Sequence, residues 1–378
     1  MAESDISEDP LIKSVVRKSL DVWEQNLSSE ECESVTKGYA RYILFKIVFI
    51  CVCVALTAVA VIYALTLGDY PISFWDCYKT VWEHITGDVS NSLYDGIIFT
   101  LRLPRIEMAV LVGAGLAIAG VVMQSTMMNP LADSYTTGVS SGASLGATIY
   151  IAFGFAFVDS DYGMVVNAFV LSLVPMFIII AMAKIKNASP TTIIMGGIAI
   201  MYLFNALTTV FNLMADPDEL EAIYRWSVGT LSLATKENVA VCAVFVIPIS
   251  IIMMCLGNKL NIMASGDESA KSLGVDADKF RVICLLLTAL MTAAVVSFTG
   301  LIGFIGLVAP HIVRIFVGAD NRFLLPASAA FGALLLVVSD LVGRTVIAPA
   351  ILQVGVVTAF LGGPLFLWLI LRKNSTVW

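Results

Sequence analysis

Charge is scarce in this chain where it would matter most. Ten long apolar segments run through it, and none carries an ionisable residue near its middle. Charged residues make up 13% of the 378 and hydrophobic residues 58%. An ordinary soluble domain has about 25% and 45–50%. The expected fold is therefore an all-α polytopic membrane protein with about ten transmembrane helices. The bare spans also argue against coupling to protons or ions, which needs Asp, Glu, His or an equivalent group inside the bilayer. Any energy used should come from another subunit.

Other absences narrow the chemistry. The two histidines, His84 and His311, are far apart and fall on opposite sides of the membrane in the topology below. Five of the seven cysteines (Cys51, Cys53, Cys242, Cys255 and Cys284) lie in apolar runs, where a thiol acts as a small hydrophobe. Cys32 and Cys77 stand alone in polar segments, and no Cys/His cluster has zinc spacing. No metal site, cofactor or nucleic-acid partner is expected. No Gly-Lys-Ser/Thr phosphate loop occurs, so the chain should not bind ATP itself. No basic start precedes a short apolar core, so no cleavable signal peptide is read, and the first span should act as an uncleaved anchor.

What is present has a clear order. Residues 1–42 are polar and acidic, with nine Asp/Glu against five Lys/Arg up to Arg41. Within them Ile12, Val16, Leu20, Trp23 and Leu27 recur at helical spacing behind Asp9-Pro10. That pattern reads as an amphipathic helix on the inner membrane surface, or as a loosely ordered tail. The membrane domain covers 43–373. Its spans are read at 43–66, 105–127, 138–157, 163–183, 191–213, 237–257, 281–301, 303–317, 323–342 and 352–371. Gly300, Gly303, Gly306 and Pro310 should break 282–317 into more than one piece. With the N-terminus inside, sixteen of the 22 Lys and Arg fall in the cytoplasm. That bias predicts N-in and C-in.

Several constellations stand out. Arg102 and Arg105 flank Pro104 at the outer start of the second span, and Arg344 ends the ninth on that face. Arg forks match carboxylates of a partner, and they serve equally well to anchor in lipid headgroups. The inner connection after the second span has no Lys or Arg and should be buried, and Gly142 and Gly146 form a close-packing face. Thr191 and Thr192 open the fifth span behind Ser189-Pro190, as a gate at the inner mouth or as plain cap chemistry. Asn205, Thr208 and Asn212 place scattered polarity further along that span. The cytoplasmic loop 258–280 contains Gly266, Asp267, Glu268, Ser269, Ala270 and, ahead of Gly274, Leu273. It reads as a short capped helix that docks a cytosolic partner, or as a solvated loop.

Together these pieces resemble a family. Arg102-Leu-Pro-Arg105, Asn129-Pro-Leu-Ala-Asp133, Gly138-Val-Ser-Ser-Gly-Ala143, residues 266–274, Gly303-Phe-Ile-Gly-Leu-Val-Ala-Pro-His311 and residues 355–364 occur in its order and spacing. The chain is similar to the membrane permeases of the binding-protein-dependent ABC importers for iron–siderophore, haem and cobalamin. The resemblance spans about residues 60–373. It implies a homodimer of the permease in the cell membrane, two cytosolic ATPase subunits and an extracytoplasmic substrate-binding protein. It implies that Arg102, Arg105 and Arg344 receive acidic residues of the binding protein. Residues 266–274 would couple to the ATPase, and Thr191 and Thr192 would lie at the cytoplasmic gate. The fifth and tenth spans would line the path between subunits. The cargo expected is a metal chelate, an iron–siderophore first, with cobalamin, haem or a molybdate-type oxyanion as alternatives. Ser134-Tyr135-Thr136-Thr137 departs from the family's usual Pro-Tyr-Leu-Leu type of run, and residues 1–40 are longer and more acidic than usual. Two other classes are an ion-coupled secondary transporter, against which the bare spans argue, and an energy-coupling membrane protein without a binding protein, against which the arginines argue.

Overall fold

A computed structural model describes residues 29–68, 70–186, 189–347 and 350–371. The N-terminal amphipathic segment lies outside the described residues. So do Lys13, Arg17, Lys18, Arg372 and Lys373, which weigh in the orientation. The chain forms two compact units, 1–48 and 49–378. Of the first, the structure describes 29–48, the beginning of helix α1 (Ser29–Thr66).

The rest is helical. Outside α1 come α2 (Phe74–Thr86) and α3 (Ser92–Gly96). A π-helical stretch, Ile97–Arg102, then runs into α4 (Leu103–Thr126). A 3₁₀ turn, Ser134–Thr137, precedes α5 (Val139–Phe153), α6 (Gly163–Lys186) and α7 (Pro190–Asn212). Next are α8 (Pro217–Ser227), α9 (Lys236–Cys255), α10 (Gly257–Ala264) and α11 (Asp267–Ser272). The chain closes with α12 (Ala277–Thr299), α13 (Ile305–Val317), α14 (Asn321–Thr345) and α15 (Val354–Leu371). Among the described residues seven helices are long and apolar enough to cross a membrane, and three shorter apolar ones correspond to α5, α13 and α15. These ten match the ten apolar segments of the sequence.

Helix α4 is the axis of the membrane unit. More of its span is buried than of any other long one, and α9, α12, α13 and α14 all pack against it. Met108, Val112, Leu116 and Val122 face this shared core. Contact is close enough that a Cβ on Gly120 would fall 1.7 Å from the Gly306 carbonyl oxygen. The small-residue face of α5 is as the sequence suggests. A Cβ on Gly142 would meet Leu171 O at 2.4 Å, and one on Gly146 would meet Asn167 O at 2.4 Å. Without driving force from water, such backbone proximity is what holds apolar helices together in lipid.

Short helices fill three of the segments between spans. The outer segment 67–104 contains α2, capped by Ser73 and closed by Gly87 at φ 80°, together with α3 and the π stretch. The outer acidic segment 214–236 contains α8, where the Glu219 carboxylate accepts from the Asp216 amide at 2.9 Å. Part of that acidity is therefore helix-capping chemistry. The cytoplasmic loop 258–280 contains α10 and α11. Helix α11 starts after Gly266 at φ 105°, with no side-chain cap, and the expected closing glycine is Gly274 at φ 82°.

The expected break in 282–317 is found. Helix α12 stops at Thr299 and α13 starts at Ile305. Between them, Tyr135 Oη donates to Ile302 O at 3.0 Å and accepts from Ile302 N at 3.2 Å. Irregular backbone at this depth must find partners within the protein, and one phenol satisfies both groups of one residue.

Candidate functional site

The three outer arginines are close together but not bare. Arg102 sits at the end of the π stretch, buried, and donates to Leu65 O at 2.7 Å and Tyr70 O at 2.6 Å. Arg105 lies one turn later and forks onto Asp340, with Nε at 2.9 Å and Nη2 at 2.8 Å from Oδ1. Arg344 is four residues beyond Asp340 on α14, and its Nη2 lies 3.0 Å from Asp340 Oδ2. Its Nη1 donates to Leu67 O at 3.2 Å. Arg102 and Arg105, three positions apart, turn to different partners. One guanidinium ties down the chain after α1, and the other two share a carboxylate that is only 2% exposed. Two guanidiniums on one buried carboxylate leave one positive charge in excess within this cluster, with Arg105 the more open of the two.

Helix α7 carries the expected gate and pathway residues on different faces. Thr191, Met195, Ile198, Tyr202, Asn205 and Thr209 follow at spacings of four and three, and all are exposed. Thr192 belongs to the cap, since Ser189 Oγ accepts from its amide at 3.3 Å and lies 3.0 Å from its hydroxyl. Thr208 and Asn212 line a cavity of about 580 Å³ with residues of α5 and α8. The structure thus brings Thr208 and Asn212 together and leaves Thr191 and Asn205 on an open stripe.

On the opposite face α11 is gripped from behind. Ala270 is buried in the main core, while Glu268, Ser269, Leu273 and Gly274 are exposed. Asp267 accepts from Arg281 Nη2 at 2.5 Å, and Arg281 is itself only 2% exposed. Arg281 Nε also reaches Thr126 O at 3.3 Å, the last turn of α4. The two neighbouring residues of that turn have partners too. Gln124 accepts from Arg314 at 3.0 Å, and Ser125 donates to Asn321 at 3.0 Å.

The inner connection after α4 is packed, as its lack of Lys and Arg suggests. Met127, Ala132, Ser134 and Thr137 are buried. Asp133 caps the 3₁₀ turn by accepting from Ser134 N at 2.7 Å. Its Oδ1 lies against Gly306, and this burial pushes its carboxyl up to about 6.

Sequence reasoning missed Asp340 as a shared counter-ion, Arg281 as a link, and Thr148 and Trp226 in the cavity wall. The Asp340/Arg344 spacing of four on one helix was a readable signal for the first. Nothing local announces the others.

The comparisons agree with one another. The FecCD transport family profile matches residues 56–372. The hemin transport system permease protein HmuU of Yersinia pestis is 38% identical over 311 residues, covering 82% of this chain and 91% of that protein. The cobalamin import system permease protein BtuC of Halobacterium salinarum is 38% identical over 275 residues, covering 72% of this chain and 73% of that protein. A solved structure described as a metal-chelate type ABC transporter in an inward-facing conformation superposes with a TM-score of 0.76 at 29% identity. It covers 85% of this chain and 98% of its own.

Proposed function

Because the chain belongs to the FecCD transport family, we propose that it is the membrane subunit of a binding-protein-dependent ABC importer carrying a metal chelate into the cell. ATP is hydrolysed on two separate cytosolic subunits, and two copies of this chain form the path. The observation that carries the reading is the architecture of α11. It is a short helix with an exposed face of Glu268, Ser269 and Leu273, anchored on its other side to the buried Arg281 and the core. A surface helix held that firmly can pass a push from a cytosolic partner into the membrane domain.

The open stripe on α7 supports the homodimer. Thr191, Met195, Ile198, Tyr202, Asn205 and Thr209 mix hydroxyl, thioether, alkyl, phenol and amide groups, which suits a wall facing a second copy and a passing solute. Among the described residues the long spans carry no charge near their middles, and that supports an external energy source.

The excess positive charge around Asp340 supports docking of an acidic binding protein. Arg105 is the contact residue, and the carboxylates of the partner add to or displace Asp340. Arg102 and Arg344 position the cluster.

Reconstitution tests the reading. The permease with its ATPase and binding protein in vesicles should take up an iron–siderophore only with ATP, and a protonophore should have no effect. Uptake that survives ATP depletion but collapses with the proton gradient would overturn it. Crosslinking from a cysteine at Ser269 should capture the ATPase subunit.

A further inference from the structure

Helix α2 carries three stripes of different chemistry. Trp75, Tyr78, Trp82 and Ile85 follow one another at spacings of three, four and three. One position on, Asp76, Lys79 and Glu83 repeat the pattern, and one further, Cys77, Thr80 and His84 do so again. Spacings of three and four keep each set on one side of a helix. The third stripe faces the protein: Cys77 and Thr80 are buried, and the His84 ring stacks on Phe99 at 3.7 Å. The second stripe is polar, as a face in water requires. The first is apolar and open, with Trp75 80%, Trp82 67% and Ile85 72% exposed. A contiguous apolar patch rimmed by polar residues marks a surface that something covers.

The height of α2 identifies what covers it. Tyr78 Oη donates to Ile62 O at 2.7 Å, and Cys77 Sγ reaches Leu65 O at 3.5 Å. Helix α1 ends at Thr66, and Ile62 is four residues, about 6 Å, inside that end. Helix α2 is thus folded against the last turn of a span rather than standing above it. Ile62 and Tyr63 are exposed there too, so the apolar surface of the span continues onto α2. At this depth hydrocarbon gives way to headgroups. Trp and Tyr favour that level, because an apolar ring with a polar N–H or O–H meets both layers. The stripe carries no cation to receive a partner's carboxylates, unlike Arg105. Arg102 bonds Leu65 O and Tyr70 O, on either side of the turn from α1 into α2, so α2 and the arginine cluster are tied to each other.

We propose that α2 is an interfacial anchor: the stripe of Trp75, Tyr78, Trp82 and Ile85 lies in the boundary between acyl chains and headgroups where α1 leaves the membrane, and phospholipid covers it. The proposal does not depend on the permease reading, only on the chain's place in the membrane.

The test uses the full chain in nanodiscs of phosphatidylcholine brominated either near the headgroup or near the chain end, and in plain nanodiscs with aqueous iodide. Bromine and iodide both quench tryptophan on contact. Trp75→Phe with Trp82→Phe keeps the surface apolar, and subtracting its emission from that of the parent removes the other four of the six tryptophans. The subtracted emission should fall about twofold with the shallow bromines, which share the depth of an interfacial helix. It should fall less with the deep bromines and hardly at all with iodide. Quenching by iodide and not by bromine would place the stripe in water and overturn the proposal. Protection from both would mean that protein covers it, and would overturn the proposal equally. A second measurement keeps both tryptophans. A nitroxide on Ile85→Cys should relax more with dissolved oxygen than with a water-soluble nickel chelate, and one on Lys79→Cys the reverse, after subtraction of the label taken up by the parent's own cysteines. Equal accessibility at the two positions would refute the orientation of α2.

Discussion

Arg281 reaches Asp267 from inside the protein. The guanidinium is 2% exposed and the carboxylate 31%, with 2.5 Å between them. The buried partner is thus the cation on α12, and the half-buried one belongs to the short helix that faces the cytoplasm. Arg281 also bonds Thr126 O and lies 3.4 Å from Asp278 Oδ1. A displacement of α11 is felt at once by the last turn of α4, the axis of the membrane unit.

Replacing Arg281 by Met should therefore separate hydrolysis from transport. We expect a stability loss on the order of 2 kcal/mol, since Asp267 regains water when its partner goes. Basal ATP hydrolysis by the assembled complex should persist while ATP consumed per solute moved rises severalfold. Arg281→Lys should restore part of the coupling. Parallel losses of hydrolysis and transport would mean that the residue only holds the fold.

The outer cluster makes an asymmetric prediction. Arg105→Glu should weaken binding-protein association, and more so at low salt. Arg102→Glu should damage the protein itself, because two backbone carbonyls lose their donor and a carboxylate takes its buried place. Thermal unfolding in detergent should show Arg102→Glu lower by several degrees and Arg105→Gln, which leaves Asp340 paired with Arg344 and adds no second carboxylate, much nearer the parent. Equal stability of the two would contradict the buried placement.

Asp340→Asn should be costly, because Arg105 and Arg344 would share a buried site with no counter-charge. Breaking a buried pair from one side typically costs about 3–5 kcal/mol. A double variant, Asp340→Asn with Arg344→Met, should recover much of the loss in a thermal melt.

Asp133 gives a pH signature. Its folded-state value near 6 lies above the ordinary 3.8, so the folded protein holds this proton more tightly than the unfolded chain. The contribution favours folding below about pH 4 and is lost as pH rises through about 6. Asp133→Asn keeps an acceptor for the Ser134 amide and removes the buried charge. It should be more stable than the parent at pH 7.5 by about 1 kcal/mol, with a flatter melting profile between pH 4 and 7. A gain that is the same at pH 4 would argue against the assignment.

Helix α5 offers a packing test. Gly142→Val would drive a side chain into Leu171 O. Overpacking of this kind costs about 1–3 kcal/mol and more where backbone must move. Loss of the monodisperse detergent-solubilised protein is the expected result.

Much of this molecule is legible in the chain. Apolar length found all ten membrane helices, and Gly142 and Gly146 announced their close contact by spacing alone. Glycines at 300, 303 and 306 marked the break between α12 and α13. The arginines illustrate what was not legible. Their types and positions suggested docking to a partner or anchoring in headgroups, yet Asp340 is 235 residues from Arg105, and no local pattern shows that they meet. The pathway residues of α7 divide for a similar reason. Helical spacing separates Asn205 from Thr208 by three positions, but which face meets α5 and α8 depends on packing.

The Tyr135 phenol has a bearing on how the protein is made. It stands 167 residues ahead of Ile302, whose amide and carbonyl it satisfies. During synthesis the phenol is therefore made before the Ile302 amide and carbonyl that depend on it. A chain permuted so that Ser134–Thr137 follows α13 would present two bare peptide groups to lipid for as long as the intervening segment takes to appear. Each such group costs several kcal/mol in hydrocarbon. The linear order of the gene is thus part of the insertion pathway.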